Sequence, residues 1–186
     1  KLLDDINEQM YQKIAGNQSM SEEEARETAK VVALSAVKYG DLSNQASKDY
    51  IFDIDRFTSF EGNTGPYILY TIVRIKSILK KYQESKKSAE GKEILPPHTD
   101  SEKALMLEIA KFNGAMENAF EELAPHKVCS YIYDLANALN HFYHETKIMA
   151  EEDEQVQAGY IRLLELTKDI LETCIDMLGF SAPDRM

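Results

Sequence analysis

The chain has 186 residues, enough for one sizeable hydrophobic core or one core with a smaller appended piece. Its 44% hydrophobic and 28% charged residues are ordinary for a globular protein, and no apolar run approaches the ~18 residues that a membrane-spanning helix needs. A net charge of −11 argues against generic DNA or RNA binding, which requires a positive field.

The sequence enters a helical pattern at once. "KLLDDINEQM" starts at Lys1 without an initiator Met, which reads as a cut from a longer protein, and Ile6, Met10 and Ile14 recur every four residues before "GNQS" stops them. Ser21 and Glu24 form a capping box that opens a second helix, expected to end at Gly40. From Asp41 to Phe60 the periodicity breaks. Turn formers surround a short apolar and aromatic run, Tyr50 to Phe52, which predicts a loop with at most one short extended segment. This is the expected boundary between an N-terminal appendage, residues 1–58, and the main domain, residues 59–186.

Thr64 and Pro66 then start a long helix reaching about Lys87, with threonine as cap and proline in the first turn. The preceding "EGNTGP" lacks the buried strand and the glycine and lysine spacing of phosphate loops, so it is read as the start of a helix. "SAEGKEILPPHTD", Ser88 to Asp100, is a linker. Two shorter helices split by Gly114 follow, then a long one from His126 to about Thr146. The last helix runs from about Gln155 to Leu178, with an apolar stripe of Leu163, Leu164, Thr167, Ile170, Leu171, Cys174, Ile175 and Leu178, and stops at Gly179. The fold class expected is all-α: a bundle of about five helices preceded by a short, mostly helical appendage.

Catalytic and metal chemistry find little purchase. Cys129 and Cys174 lie far apart within helical patterns, without a CxxC, and read as small buried hydrophobes in a reducing cytoplasm. His141 and His144 share a helix face but lack further ligands, so no metal site is assigned. The acidic clusters "SEEEARE" and "AEEDE" stand at helix starts, where carboxylates complement the helix dipole. Two features remain. From Tyr70 to Lys92 seven lysines and arginines face two glutamates, a local charge of +5 on an acidic body. Tyr70 and Arg74 also share a helix face, while the neighbours Phe142 and Tyr143 cannot both face one core. Composition alone reads these tyrosines as packed in the bundle with their hydroxyls at the surface.

Longer motifs change that reading. "AVKYGDLSNQASKDYIFDIDRFTSFEGNTGPYILYTIVRIKSIL", Ala36 to Leu79, resembles the segment of arginyl-tRNA synthetases that joins the class I catalytic domain to the anticodon-binding domain. "YIYDLANALNHFYHE", Tyr131 to Glu145, and the terminal "LGFSAPDRM" resemble the DALR anticodon-binding domain of the same family. The HIGH-like and KMSKS-like nucleotide motifs have no counterpart, and the position before the second tyrosine, often Gln in that family, is Leu69.

The resemblance implies a parent enzyme that attaches arginine to tRNA(Arg) using ATP, with Mg, and arginine as substrates. This part, without its catalytic domain, is expected to be inactive alone and to hold no cofactor. It implies that Tyr70, Arg74, Tyr143 and Met186 meet the anticodon loop, by stacking on unpaired bases and by base-edge or phosphate bonds, with Lys76, Lys80 and Lys81 available to the backbone. Because the family needs bound tRNA before it activates arginine, the Lys38–Phe60 junction becomes a candidate relay. The alternative is an acidic helical module that docks a protein partner without any RNA function.

Overall fold

A computed structural model describes residues 1–16 and 20–186. The expected stop at "GNQS" falls mostly on residues 17–19 and lies outside the described residues. Among the described residues there is no strand. The α-helices are α1 (Leu2–Ile14), α2 (Glu22–Leu42), the four-residue α3 (Ile54–Phe57), α4 (Gly65–Glu84), α5 (Asp100–Ala110), α6 (Phe112–Glu121), α7 (Pro125–Glu145) and α8 (Glu154–Met177), with a 3-10 turn at Ile148–Ala150. The all-α expectation holds. No described helix is long and apolar enough to cross a membrane.

Local chemistry accounts for most of the helix ends. Ser21 Oγ accepts the Glu24 backbone N–H, and Thr64 Oγ1 accepts that of Tyr67, each satisfying a donor that the first turn leaves free. Asp153 accepts from both Gln155 and Val156, so the acidic stretch before α8 is a cap. At its other end Gly179, with φ +83°, closes α8 in a Schellman motif: Phe180 N–H bonds Ile175 O and Gly179 N–H bonds Asp176 O.

Helix α4 lies at the centre, packing against α2, α7 and α8. Helices on several sides explain why so much of it is apolar: Ile68, Leu69, Ile72 and Ile75 are wholly buried. Its first turn meets the α2 backbone directly. A Cβ added at Gly65 would sit 2.2 Å from Ser35 O, so only glycine allows this approach. Close by, the buried Tyr39 hydroxyl lies 2.5 Å from the Asn63 side-chain amide and 2.9 Å from the Cys129 carbonyl, joining α2, the turn before α4, and α7. Burial pushes the Tyr39 phenol far above its ordinary pKa, so it stays a neutral bonding partner.

Three boundaries differ from expectation for packing reasons. Helix α2 continues past Gly40 to Leu42, because Gly40 makes room for the Phe57 ring, 2.6 Å from where its Cβ would lie; it does not cap the helix. The Asp41–Phe60 junction holds the short helix α3, capped by Asp53, where an extended segment was allowed. The break between α5 and α6 falls at Lys111, and Gly114 lies inside α6 with nothing near its missing Cβ. The Ser88–Asp100 linker is irregular but not detached: Ala89 is buried, Lys87 Nζ donates to Gln157 Oε1, and Glu93 O lies 3.5 Å from the Gly159 Cβ position.

The C-terminal tail folds back over α2 and α4. Lys38 Nζ donates to Gly179 O at 2.5 Å, Lys76 reaches Ala182 O, Pro183 O and Asp184, and Arg185 pairs with Glu24. The guanidinium holds the Glu24 carboxyl below its usual range.

The two glycines give a direct contrast in stability. Gly65→Ala forces a methyl into the α2 backbone and is expected to cost at least the 1–3 kcal/mol, roughly, of core overpacking. Gly114→Ala removes a flexible residue from a helix with open space around it and is expected to gain up to about 1 kcal/mol. Urea unfolding of the two variants beside the parent chain checks both signs.

Candidate nucleic-acid interface

The outer face where α4 meets α7 carries a connected group of aromatic and polar side chains. From α4 come Tyr67, Tyr70, Thr71 and Arg74; from α7 come Tyr133, Asn137, Asn140 and Tyr143. Helical spacing produces this. Tyr67, Tyr70 and Arg74 follow one another at three and four residues, as do Tyr133, Asn137 and Asn140, so each set forms a stripe along its helix.

At the centre, the Arg74 guanidinium carbon lies 4.9 Å from the Tyr70 ring centroid and 4.8 Å from that of Tyr143. Both distances fall within cation–π range. Arg74 Nη1 donates to Asn140 Oδ1 at 2.5 Å, and Nη2 reaches the Tyr70 hydroxyl at 3.3 Å. Behind this row, Asn140 Nδ2 donates to Tyr67 Oη at 2.9 Å and Thr71 Oγ1 at 3.1 Å. Tyr67 donates in turn to Asn137 Oδ1 at 2.8 Å, and Thr71 to the Tyr67 carbonyl at 3.0 Å. The Tyr67 ring also meets Tyr133 edge to face, their centroids 5.8 Å apart.

The rings that a ligand would meet are open. Tyr70 is 42% and Tyr143 36% exposed, whereas Phe142, the residue before Tyr143, is wholly buried against Tyr160. Two planar aromatic faces flanking a cation suit unpaired nucleic-acid bases, which stack on aromatic planes, and their phosphates, which attract the guanidinium. Two open grooves lie elsewhere. Those beside α1, of about 590 and 800 Å³, are lined by Asp4, Glu8, Glu22 and Glu23 and by Asp5, Asp53 and Asp55, charges that repel phosphate.

The family model described as "DALR anticodon binding domain" matches residues 68–186, well over half of the sequence. The chain belongs to this family. Residues 1–54 match the model described as "tRNA synthetases class I (R), catalytic domain". Two curated relatives are named arginine–tRNA ligase. That of Agathobacter rectalis is 64% identical over 193 residues, covering 100% of this chain and 32% of the relative; that of Alkaliphilus oremlandii is 49% identical over 185 residues, covering 100% and 31%. Among solved structures, arginyl-tRNA synthetase of Thermus thermophilus superposes with a TM-score of 0.88 at 28% identity, over 99% of this chain and 31% of that one. The Plasmodium falciparum enzyme gives 0.86 at 26%, over 100% and 33%. The chain thus spans about a third of the length of the relatives it matches, and the resemblance read from its motifs is borne out.

Within this DALR domain, the structure brings together Tyr70, Arg74 and Tyr143 and places the other candidates apart. Lys76 stands two residues beyond Arg74, about 200° around the helix, where it pairs with Glu172 at 3.2 Å and with Asp184. Lys80 and Lys81 are exposed; Lys81, seven residues on from Arg74, continues its stripe about 10 Å along the axis. Met186 is partly buried against the core, at the end of a tail tied to α2 and α4. Leu69, where the family often has Gln, is wholly buried, so that position offers no polar contact.

Sequence reasoning missed Asn140 and Asn137, and noted Tyr67 on the helix without giving it a place in the site. For Asn140 the available signal was a polar residue within the buried stripe of α7, because a buried amide requires partners. His141 and His144 are exposed, and among the described residues no three His, Cys, Asp or Glu side chains gather as a metal site would require.

Cys129 and Cys174 are free and buried, and loss of solvation pushes both thiols up to about 12. A thiol at that value has almost no thiolate at pH 8. The expected result is no reaction of the native chain with an aromatic disulfide reagent at pH 8, and release of two equivalents in denaturant; fast labelling of the folded chain would contradict this burial.

Proposed function

We propose that this chain is the tRNA-reading C-terminal portion of an arginine–tRNA ligase acting in the cytoplasm. On this reading residues 1–58 are the tail of the catalytic domain and the junction, and residues 59–186 form the anticodon-binding bundle. The remainder of the enzyme uses ATP with Mg, and arginine, to charge tRNA(Arg). The chain contributes binding that distinguishes its own tRNA by the anticodon loop.

The observation that carries this reading is the Arg74 guanidinium between two open tyrosine rings on the α4–α7 face. Loop bases splay out and stack on Tyr70 and Tyr143, while Arg74 bonds an oxygen between them. Lys81 and Lys80 extend the positive field along α4 for the RNA backbone. Met186, apart from this group at the end of the tail, packs against a loop base. Lys76 contributes indirectly, by anchoring the tail that ends in Met186.

Binding of an arginine tRNA transcript, and of one with its anticodon-loop bases replaced, measured at two salt concentrations, tests the reading. The native loop should bind more tightly, with affinity falling steeply as salt rises. Tyr70→Ala should lose roughly 1–3 kcal/mol, the value of one stacked base. Equal affinity for both transcripts, with no effect of Tyr70→Ala, contradicts the proposal; salt-insensitive capture of a protein instead would favour a docking module.

A further inference from the structure

The group that holds Arg74 differs from those holding most other arginines of the chain. Arg26, Arg162 and Arg185 each pair with a glutamate. Arg74 has as its shortest partner the neutral amide of Asn140, at 2.5 Å, and among the described residues no carboxylate comes within ion-pair distance of it. Asn140 is 9% exposed, so its amide is committed to protein partners.

The hydrogen-bond directions determine which way that amide points. Thr71 gives its proton to the Tyr67 carbonyl, and Tyr67 gives its own to Asn137 Oδ1. Both hydroxyl oxygens can therefore only accept, and both accept from Asn140 Nδ2. The amide oxygen is left facing Arg74. Asparagine alone among residues of this size supplies two donors on one side and an uncharged acceptor on the other. A carboxylate would bond the guanidinium more strongly while cancelling its charge.

Resting on the anticodon-loop reading, we propose that Asn140 is a positioning residue: it fixes Arg74 between Tyr70 and Tyr143 with its charge uncancelled, as a ligand for a phosphate of the loop RNA. The rings on either side determine the choice of phosphate over base. Both rings lie within cation–π distance of the guanidinium, so a base stacking on it competes with them, and each Nη nitrogen already has a protein partner. Three N–H groups remain, Nε–H and one on each Nη, a charged fork that matches the geometry of a phosphate. Tyr70 and Tyr143 then take the bases, and Arg74 holds the backbone between them.

Asn140→Asp keeps the shape and adds one negative charge beside Arg74. Binding of the arginine tRNA transcript should weaken about tenfold, and the slope of log affinity against log salt should flatten by about one, as for loss of one phosphate contact. In an Arg74→Ala background the same substitution should change neither, because its effect passes through Arg74. If Asn140→Asp does not fold, Asn140→Ala enters the same cycle: it should weaken binding in the parent and leave the Arg74→Ala affinity unchanged. An Asn140 substitution that weakens binding equally with and without Arg74, or leaves the slope unaltered while Arg74→Ala flattens it, overturns the proposal and leaves the anticodon-loop reading standing. If neither Arg74→Ala nor Tyr70→Ala affects binding, the reading itself fails.

Discussion

The close approach of α4 to α2 sets the position of everything that follows. Gly65 lets the first turn of α4 lie on the Ser35 carbonyl, and any side chain there would push the helix away. With that end fixed, the Tyr39 hydroxyl joins the same α2 to the turn before α4 and to Cys129 of α7. The three helices then form one buried seam. Because a packed core resists displacement, α4 and α7 present their outer stripes at a defined separation. Over that separation the Asn140 amide bridges Arg74, Tyr67 and Thr71.

This arrangement lets a strongly acidic chain hold a cation without a carboxylate partner at the α4–α7 face. The net charge of −11 is spread over helix starts and faces where carboxylates cap helices or pair with lysines and arginines. At the α4–α7 face the balance reverses locally, since Arg74 is held by an amide and two rings. Lys76, equally basic and only two residues away, is neutralised by Glu172 and Asp184 because helix geometry turns it toward α8 and the tail. Position on the helix, and the partner found there, decide which cation keeps its charge uncancelled and which secures the structure.

Much of this was legible in the sequence, for physical reasons that can be named. Ser21, Thr64 with Pro66, and Gly179 mark helix ends because they satisfy backbone groups locally, and the structure places helix ends beside each. The stripe from Leu163 to Leu178 told which face of the last helix is buried. Gly40 misled, since a glycine needed for contact with Phe57 cannot be told from one that ends a helix until the partner is known. Lys76 and Asn140 were illegible in the same way: Asp184 lies 108 residues from the one, and Arg74 lies 66 from the other. Tyr70, Arg74 and Tyr143 came from resemblance to a family; their arrangement about one guanidinium came only from the fold.

On the proposed function, the α4–α7 face receives unpaired RNA bases on Tyr70 and Tyr143. Titrating an anticodon stem-loop of arginine tRNA into the chain, with its tyrosine ring protons followed by NMR, tests it most directly. Ring-current shifts should appear at Tyr70 and Tyr143 and be small at the buried Tyr39 and Tyr160. Shifts confined to rings away from this face, or saturable binding that leaves Tyr70 and Tyr143 unmoved, would contradict it.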